Sequence, residues 1–257
     1  MLTPIDMAHS AMETDDAARL HFFERVADAE LFLLLEREPD SDQITPELFE
    51  VEEGSFVLVF DREERLTEFT ELASPYAALS GRAIAAMLTG QGIGLGLNLG
   101  VATSSILIPD HAVDWLHRTL QNRPARVDAM PVAINAPRGL PEALLTALDE
   151  KLAQTAGLAR VAYLVSVTYE PGRPGHLLAF VAAVERAETA LADAVGEALT
   201  FSGLEAGELD VGFFAASDPM VARLKSVGLQ FDLPDPIAMP RQPDAPGMDP
   251  SRPPKLR

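Results

Sequence analysis

Apolar and polar positions in the first part of the chain alternate in patterns that predict strands. Between Glu47 and Phe60, Phe49 and Val51 alternate with acidic residues before a turn at Glu53 and Gly54. After the turn Phe56, Leu58 and Phe60 share one face, which is typical of a β-hairpin. The unbroken apolar run Leu31–Leu35 predicts a buried strand, and Ile106–Ile108 predicts a further short strand. These segments predict a sheet within the first 122 residues.

Helices are predicted between these strands by apolar residues at helical spacing and by residues that cap helix ends. Thr3 precedes a proline and is expected to cap the first helix. Asp61 and Glu64 have the spacing of a capping box before another helix. Ser80 is expected to cap a short helix that ends at Gly90. The first region therefore combines a sheet with several helices.

The second half of the chain repeats this mixture of strands and helices. Val161–Tyr169 alternates strictly and leads through a Pro/Gly-rich turn into the apolar run His176–Val181, which predicts a second hairpin. Prolines in residues 123–137 indicate a linker, and the eight prolines among residues 234–257 indicate a disordered tail. We predict an α+β protein with two small mixed α/β domains, residues 1–122 and 138–233, each a largely antiparallel sheet packed with helices.

Composition and charge restrict the classes of partner. The 257 residues carry a net charge of −19, and most of the excess acid lies in residues 1–122. An acidic field repels phosphate groups, which disfavours nucleic acid and anionic membrane surfaces as partners and favours a basic protein partner or simply a well-solvated surface. The chain has no cysteine and no apolar run of membrane-spanning length. Its first residues lack the basic start and apolar run of a secretory signal, so a cytoplasmic location is expected.

The most distinctive pattern is the glycine-rich stretch Gly90–Gly100. Its glycines do not have the spacing of a dinucleotide-binding loop, and no Walker sequence follows them. From position 94 the period is two, so that Leu95, Leu97 and Leu99 would share one face while Gly94, Gly96 and Asn98 form a nearly bare opposite face. Glycine in a strand permits a close approach to the backbone, either by another part of the protein or by a ligand.

Several motifs of the chain resemble those of the SseB-like family, which is named after an enhanced-serine-sensitivity phenotype. In the first half these are Tyr76–Gly81, the Gly90–Gly100 stretch and Ser105–Pro109, and in the second half Val165–Tyr169 and Gly175–Leu178. The resemblance implies a bacterial protein with an N-terminal and a C-terminal SseB domain, and no established activity or cofactor. The secretion-associated role that some members carry is not transferred, because nothing else in the sequence supports it.

The sequence contains no recognisable catalytic template. No serine lies in a nucleophile elbow, and the five histidines do not form the H-E-x-x-H pattern of a zinc enzyme. The acidic runs lack the apolar surroundings that would raise a carboxyl pKa for acid–base work. We therefore predict no catalytic, cofactor-binding or metal-binding residue and no bound cofactor.

These observations favour a non-enzymatic binding or interaction module. The candidate binding surface combines the backbone at the start of the helix after Ser80 with the bare strand face, and two residues beside the second hairpin turn are added to it. The candidate residues are Ser80, Gly81, Arg82, Gly94, Gly96, Asn98, Arg173 and His176. The alternative is an enzyme or regulator that binds a small metabolite linked to serine or sulfur metabolism, which only the family name supports. The sequence indicates no oligomeric state.

Overall fold

The chain folds into two units, each built on its own β-sheet. A computed structural model describes residues 2–15, 18–38, 44–121, 131–170, 172–203 and 209–234. Both sheets are covered by helices, and each unit has its own buried apolar clusters. The predicted α+β class with two mixed domains is confirmed.

The first unit alternates strands with helices along the chain. Its helices are α1 (Pro4–Met12), α2 (Ala18–Asp28), α3 (Glu63–Thr70), α4 (Gly81–Leu88) and α5 (Asp110–Leu120). Its strands are β1 (Glu30–Leu34), β2 (Leu48–Val51), β3 (Gly54–Phe60), β4 (Tyr76–Ser80), β5 (Ile93–Leu97) and β6 (Ile106–Ile108). The predicted hairpin is β2–β3, and the predicted apolar strand is β1.

The first sheet has the strand order β4-β1-β3-β5-β6, with β2 beside the first half of β3. All of its pairs are antiparallel except β3 with β5. Because side chains alternate along a strand, Leu31 and Leu33 pack under α1, α2, α4 and α5, while Phe32 and Leu34 face α3. We call the latter the α3 face of the sheet.

The second unit begins inside the segment that the sequence analysis assigns to a linker. Its elements are β7 (Ala133–Asn135), α6 (Glu142–Ala153), β8 (Val161–Tyr169), β9 (Arg173–Val181), α7 (Glu188–Phe201), β10 (Leu209–Phe214), α8 (Pro219–Val227) and β11 (Leu229–Asp232). The short β7 pairs with β8 at Ala133, Ile134 and Asn135, so the second sheet starts before residue 138. Three residues with few apolar side chains carry too little period to be recognised as a strand.

The second sheet has the order β10-β9-β8-β11, with β7 beside the other end of β8. The predicted hairpin β8–β9 pairs over its full length, and only β9 and β10 run parallel. Helices α6 and α7 cover one face and α8 covers the other. Residues 122–130, and the predicted tail of residues 234–257 apart from Pro234, lie outside the described residues.

The two units meet through α7, which lies against α2 and α5 of the first unit, and through Lys151 of α6, which contacts α2. The ring of Trp115 on α5 lies 5.3 Å from that of Phe23 and 6.4 Å from that of Phe201, measured between centroids. Phe201 belongs to the second unit, yet it is buried in the apolar cluster of the first. The junction therefore has an apolar part of its own.

Candidate binding surface and buried charge clusters

The glycine face of β5 is covered by the protein's own side chains. Gly94 and Gly96 lie directly opposite Phe56 and Leu58 of β3. A Cβ atom on Gly94 would lie 2.6 Å from the Phe56 ring, and one on Gly96 would lie 2.8 Å from the Leu58 side chain. The glycines thus make room for two large neighbours, so this face is covered by another part of the protein and not left open for a ligand. Both glycines are buried, so they do not contribute to an exposed surface.

Asn98 ends β5 and turns the chain. Its φ of +49° lies in the left-handed region, which asparagine tolerates better than most residues. The turn carries Leu99 across to the α3 face, where it contacts Gly96, so Leu99 does not share a face with Leu95 and Leu97 as the alternation predicts. The Asn98 side chain is fully buried: its Oδ1 accepts from the Asp61 backbone N–H at 3.1 Å and its Nδ2 donates to Ser104 at 2.9 Å.

Asn98 belongs to a buried group of polar side chains that we call the Asp6 network: Thr3, Asp6, Asp61, Arg65, Asn98 and Ser104. Arg65 donates to both carboxylate oxygens of Asp6, at 3.1 and 2.5 Å, and to Asp61 at 2.7 Å. Asp61 is therefore an acceptor for Arg65 and for the Thr3 hydroxyl, at 2.5 Å. It is not the N-cap that the capping-box spacing predicts, because α3 begins after Arg62 with no side-chain cap.

Asp6 is held ionised by its surroundings. Burial would raise the pKa of its carboxyl, but hydrogen bonds from Arg65, Ser104 and the Thr3 backbone, together with the charge of Arg65, outweigh burial and lower the pKa well below its usual value. The Ser104 hydroxyl donates to Asp6 at 2.6 Å and accepts from Asn98, so it is fully engaged. This arrangement fixes α1 to the sheet and to the β5–β6 loop.

Ser80 and Gly81 have structural roles at the junction of β4 and α4. Ser80 accepts from the Ala83 backbone N–H at 3.4 Å, so the predicted N-cap is confirmed. Gly81 lies against α2, where a Cβ would approach the Val26 carbonyl oxygen to 1.8 Å. Only glycine permits this contact between the end of β4 and α2, and it fixes where the strand ends.

Arg82 bridges the two units as part of what we call the Lys151 cluster: Glu24, Asp28, Arg82, Lys151 and Glu197. Arg82 donates to both carboxylate oxygens of Glu197, at 3.0 and 3.1 Å, and also to Asp28. Lys151 contacts Asp28, Glu197 at 3.0 Å and Glu24 at 3.4 Å. Glu24 and Asp28 lie on α2 of the first unit, whereas Lys151 and Glu197 lie on α6 and α7 of the second.

The charges of the Lys151 cluster stabilise one another. Burial would lower the pKa of Lys151, but the carboxylates of Asp28, Glu197 and Glu24 outweigh it and raise the pKa above its ordinary value. The side chain of Lys151 is only 7% exposed, whereas that of Arg82 is 42% exposed. All five side chains of the cluster take part in ion pairs, which join the two units.

The sequence held weak signals of this cluster. Glu24 and Asp28 are one turn apart on α2, Glu197 interrupts an otherwise apolar stripe of α7, and Lys151 is one of only three lysines in the chain. None of these signals says which partners meet, because the contacts between the two units join residues more than a hundred positions apart.

Arg173 and His176 lie in the second unit, apart from the other candidate residues. Arg173 lies over the Tyr169 ring at 4.8 Å and pairs with Asp210 at 3.4 Å. Burial and the neighbouring Asp210 raise the pKa of the Tyr169 hydroxyl. The His176 Nε2 lies 3.0 Å from the Arg138 carbonyl oxygen. Both side chains have partners from the second unit, so the eight candidates do not form one surface.

An open backbone edge lies on β4, immediately before Ser80. Among the strands that the structure describes, β4 is at one end of the first sheet and pairs only with β1. The Leu35 N–H donates to the Pro75 carbonyl oxygen and the Gly81 N–H donates to the Ala29 carbonyl oxygen. These two bonds fix which residues of β4 hydrogen-bond to β1, because in an antiparallel pair only every second residue does so. Tyr76 and Ala78 are the residues that turn away. Within the described ranges no hydrogen bond joins their backbone groups to another part of the chain.

The α3 face beside this edge is partly exposed. Tyr76 and Ala78 are exposed, Phe32 on β1 is partly buried, and the rings of Tyr76 and Phe32 are 5.3 Å apart. Loss of hydration and the charge of the neighbouring Glu63 carboxylate raise the pKa of the Tyr76 hydroxyl. Sequence reasoning selected Ser80 at the end of this edge but missed the edge, because sheet order is not visible in the alternation.

Among the described residues, no group of three or more histidine, aspartate or glutamate side chains is arranged to hold a metal ion. None of the helices that can be described is both long enough and apolar enough to cross a membrane.

Comparison with known protein families gives one match, in the first unit. Residues 7–114 match the family model of the SseB protein N-terminal domain, which confirms the resemblance to the SseB-like family there. The matched range runs from α1 into α5 and contains β4 and the glycine stretch. Curated proteins and solved structures gave no match to the chain. The assignment of the second unit to a C-terminal SseB domain stays a prediction.

Proposed function

We propose that this SseB-like chain is a non-enzymatic protein-binding module that pairs an extended segment of a partner with the free edge of β4. The observation that carries the proposal is the unpaired backbone of Tyr76 and Ala78. An edge strand offers main-chain donors and acceptors in a fixed row, and an added strand satisfies them. Affinity then comes from the backbone bonds, and specificity comes from the side chains that flank them.

The neutral composition of β4 supports this role. Natural edge strands are commonly protected by charged side chains, by proline or by being very short. The other edge strands of the first sheet are protected in two of these ways, since β6 has only three residues and β2 contains Glu50, with two more acidic residues after Val51. β4 has five residues, Tyr-Ala-Ala-Leu-Ser, and none of them is charged. The strand is therefore open to pairing.

In this proposal the predicted binding residues Ser80, Gly81 and Arg82 do not contact the partner but position the end of β4. Ser80 caps α4, Gly81 seats the helix start on α2, and Arg82 ties it to Glu197 of the second unit. Together they hold the end of β4 in place, so that the edge is presented in a fixed geometry. A preformed edge binds with a smaller loss of conformational entropy than a mobile one.

Site-specific photocrosslinking in cells that produce the protein tests this function. A benzophenone amino acid is placed at Tyr76, where an aromatic ring already stands, and in a control chain at Met7, which is 56% exposed on α1. We expect the position-76 probe to capture a defined protein partner that the position-7 probe does not, identified by mass spectrometry.

A second substitution distinguishes edge pairing from simple proximity. Ala78→Pro removes an N–H that faces away from β1, so the ladder to β1 keeps its bonds. The crosslink from position 76 should disappear in this variant and persist in Ala78→Thr, which keeps the N–H. Equal capture from positions 76 and 7, or full capture with proline at 78, would contradict the proposed function.

A further inference from the structure

We infer that the segment bound at β4 carries a basic residue, an apolar residue and a basic residue at alternate positions. This inference rests on the proposed function and names the chemistry of the partner. It follows from the side chains that stand on the α3 face of β4 and β1, since an added strand places every second side chain on that face.

The α3 face presents three levels along the edge. Glu30 lies opposite Ser80, Phe32 opposite Ala78, and Leu34 opposite Tyr76. Glu30, the first residue of β1, is exposed at the Ser80 end of the edge. At the other end Tyr76 is exposed and has the exposed Glu63 as its charged neighbour. The order along the face is therefore carboxylate, apolar, carboxylate.

The middle level has room for a large apolar side chain. Ala78 is exposed and small, and the partly buried Phe32 ring lies behind it. A branched or aromatic side chain opposite Ala78 would cover both the methyl group and the Phe32 ring, and removing such apolar area from water is favourable. A small or charged residue at this level would leave that area exposed.

The two end positions of the edge, at Ser80 and at Tyr76, favour basic side chains of the partner. Neither Glu30 nor Glu63 forms an ion pair with a cation in the ranges that the structure describes. Between Glu30 and Ser80 the sequence has fourteen acidic and three basic residues. One of those three, Arg65, is already bound to Asp6 and Asp61. A lysine or arginine opposite Tyr76 or Ser80 would therefore meet uncompensated negative charge.

The spacing of these levels fits one extended strand. Consecutive levels are two residues apart, or about 6.8 Å at the usual rise of an antiparallel strand. The inferred pattern reads the same in both directions, so it holds for parallel and for antiparallel addition to β4.

Fluorescence polarisation with synthetic peptides tests the inference on the full chain. The probe is labelled GTKTITRTG, which has lysine, isoleucine and arginine at alternate positions. It is compared with the charge-reversed GTETITETG and with GTKTSTRTG, in which serine replaces the isoleucine. We expect the charge-reversed peptide to bind about tenfold more weakly or worse, because two attractions become repulsions. The serine peptide should also bind more weakly.

Variants of the protein assign the effect to the named residues. Glu30→Gln and Glu63→Gln should each weaken binding of the basic peptide by about two- to fivefold, as expected for one exposed charge pair. Glu142→Gln, at an exposed position of α6 in the second unit, is the matched control and should leave the affinity for the basic peptide unchanged. Ala78→Pro should weaken the binding of all three peptides.

The outcomes separate this inference from the proposed function. If Ala78→Pro abolishes peptide binding but GTETITETG binds as tightly as GTKTITRTG, the edge binds strands and the inferred chemistry is wrong. If the basic peptide binds equally well to the Ala78→Pro protein, both the edge-pairing function and the inference are overturned. Unchanged affinity in Glu30→Gln and Glu63→Gln would also overturn the inference.

Discussion

The two buried charge clusters carry the same net charge but balance it differently. Each has one more carboxylate than cation: two against one in the Asp6 network and three against two in the Lys151 cluster. In the Asp6 network the surplus charge is met by neutral donors, namely the Thr3 backbone, the Thr3 hydroxyl and Ser104. In the Lys151 cluster each of the three carboxylates contacts Lys151, and two of them contact Arg82 as well.

This difference matches what each cluster joins. Hydrogen bonds from backbone and hydroxyl groups require fixed directions, which a single folded unit can provide. The Asp6 network lies entirely within the first unit and is the more deeply buried. The Lys151 cluster spans two units, and Lys151 acts there as a point charge that reaches several carboxylates at once. We therefore expect the first cluster to govern folding of its unit and the second to govern how firmly the units associate.

Removing Arg65 is the strongest way to test the Asp6 network. Arg65→Met would leave the fully buried Asp6 without its cation, which for buried pairs lowers the free energy of unfolding by about 3–5 kcal/mol. Urea unfolding followed by circular dichroism measures the loss. The double variant Asp6→Leu with Arg65→Met should recover part of it, because no unpaired charge remains. Additive losses in the double variant would contradict a direct coupling.

Acid should weaken the Asp6 network before it affects an uncharged variant. Because the folded-state pKa of Asp6 lies below its unfolded value near 3.8, its contribution is present above that pH and is lost as the pH falls below it. A carboxyl pKa that is lower by one in the folded protein than in the unfolded chain contributes about 1.4 kcal/mol to the free energy of unfolding. The difference in unfolding free energy between the native chain and Asp6→Asn should therefore shrink below about pH 4. A constant difference down to pH 2 would show that the Asp6 charge is not stabilised.

The contrast between the clusters also separates what the sequence predicts from what it does not. The Thr3 and Ser80 caps, the hairpins and strand β1 depend on neighbours within a few residues, so local patterns predict them. The cover over Gly94 and Gly96, the pairing of Lys151 with α2 and the open edge of β4 depend on which distant segments meet. At Asp61 a local signal and tertiary contacts compete. Its spacing to Glu64 predicts a helix cap, but its carboxylate binds Arg65 and Thr3 instead. Tertiary partners decided these cases, and one sequence does not reveal them.

Substitutions at the Lys151 cluster test whether it couples the units rather than folds them. Lys151→Met would leave Glu24 without its lysine and Asp28 and Glu197 with Arg82 alone, at a place that water reaches through the half-exposed Arg82. We expect a loss of about 1–3 kcal/mol, smaller than that of Arg65→Met because solvent can rehydrate the carboxylates. Arg82→Gln is the matched change on the exposed side and should cost less than about 1 kcal/mol. Amide hydrogen exchange is the deciding measurement: in Lys151→Met, protection should fall on the facing surfaces of α2 and α7, while the strands of both sheets keep theirs. A loss spread evenly over the first sheet would instead make the Lys151 cluster a second folding core and remove the distinction between the two clusters.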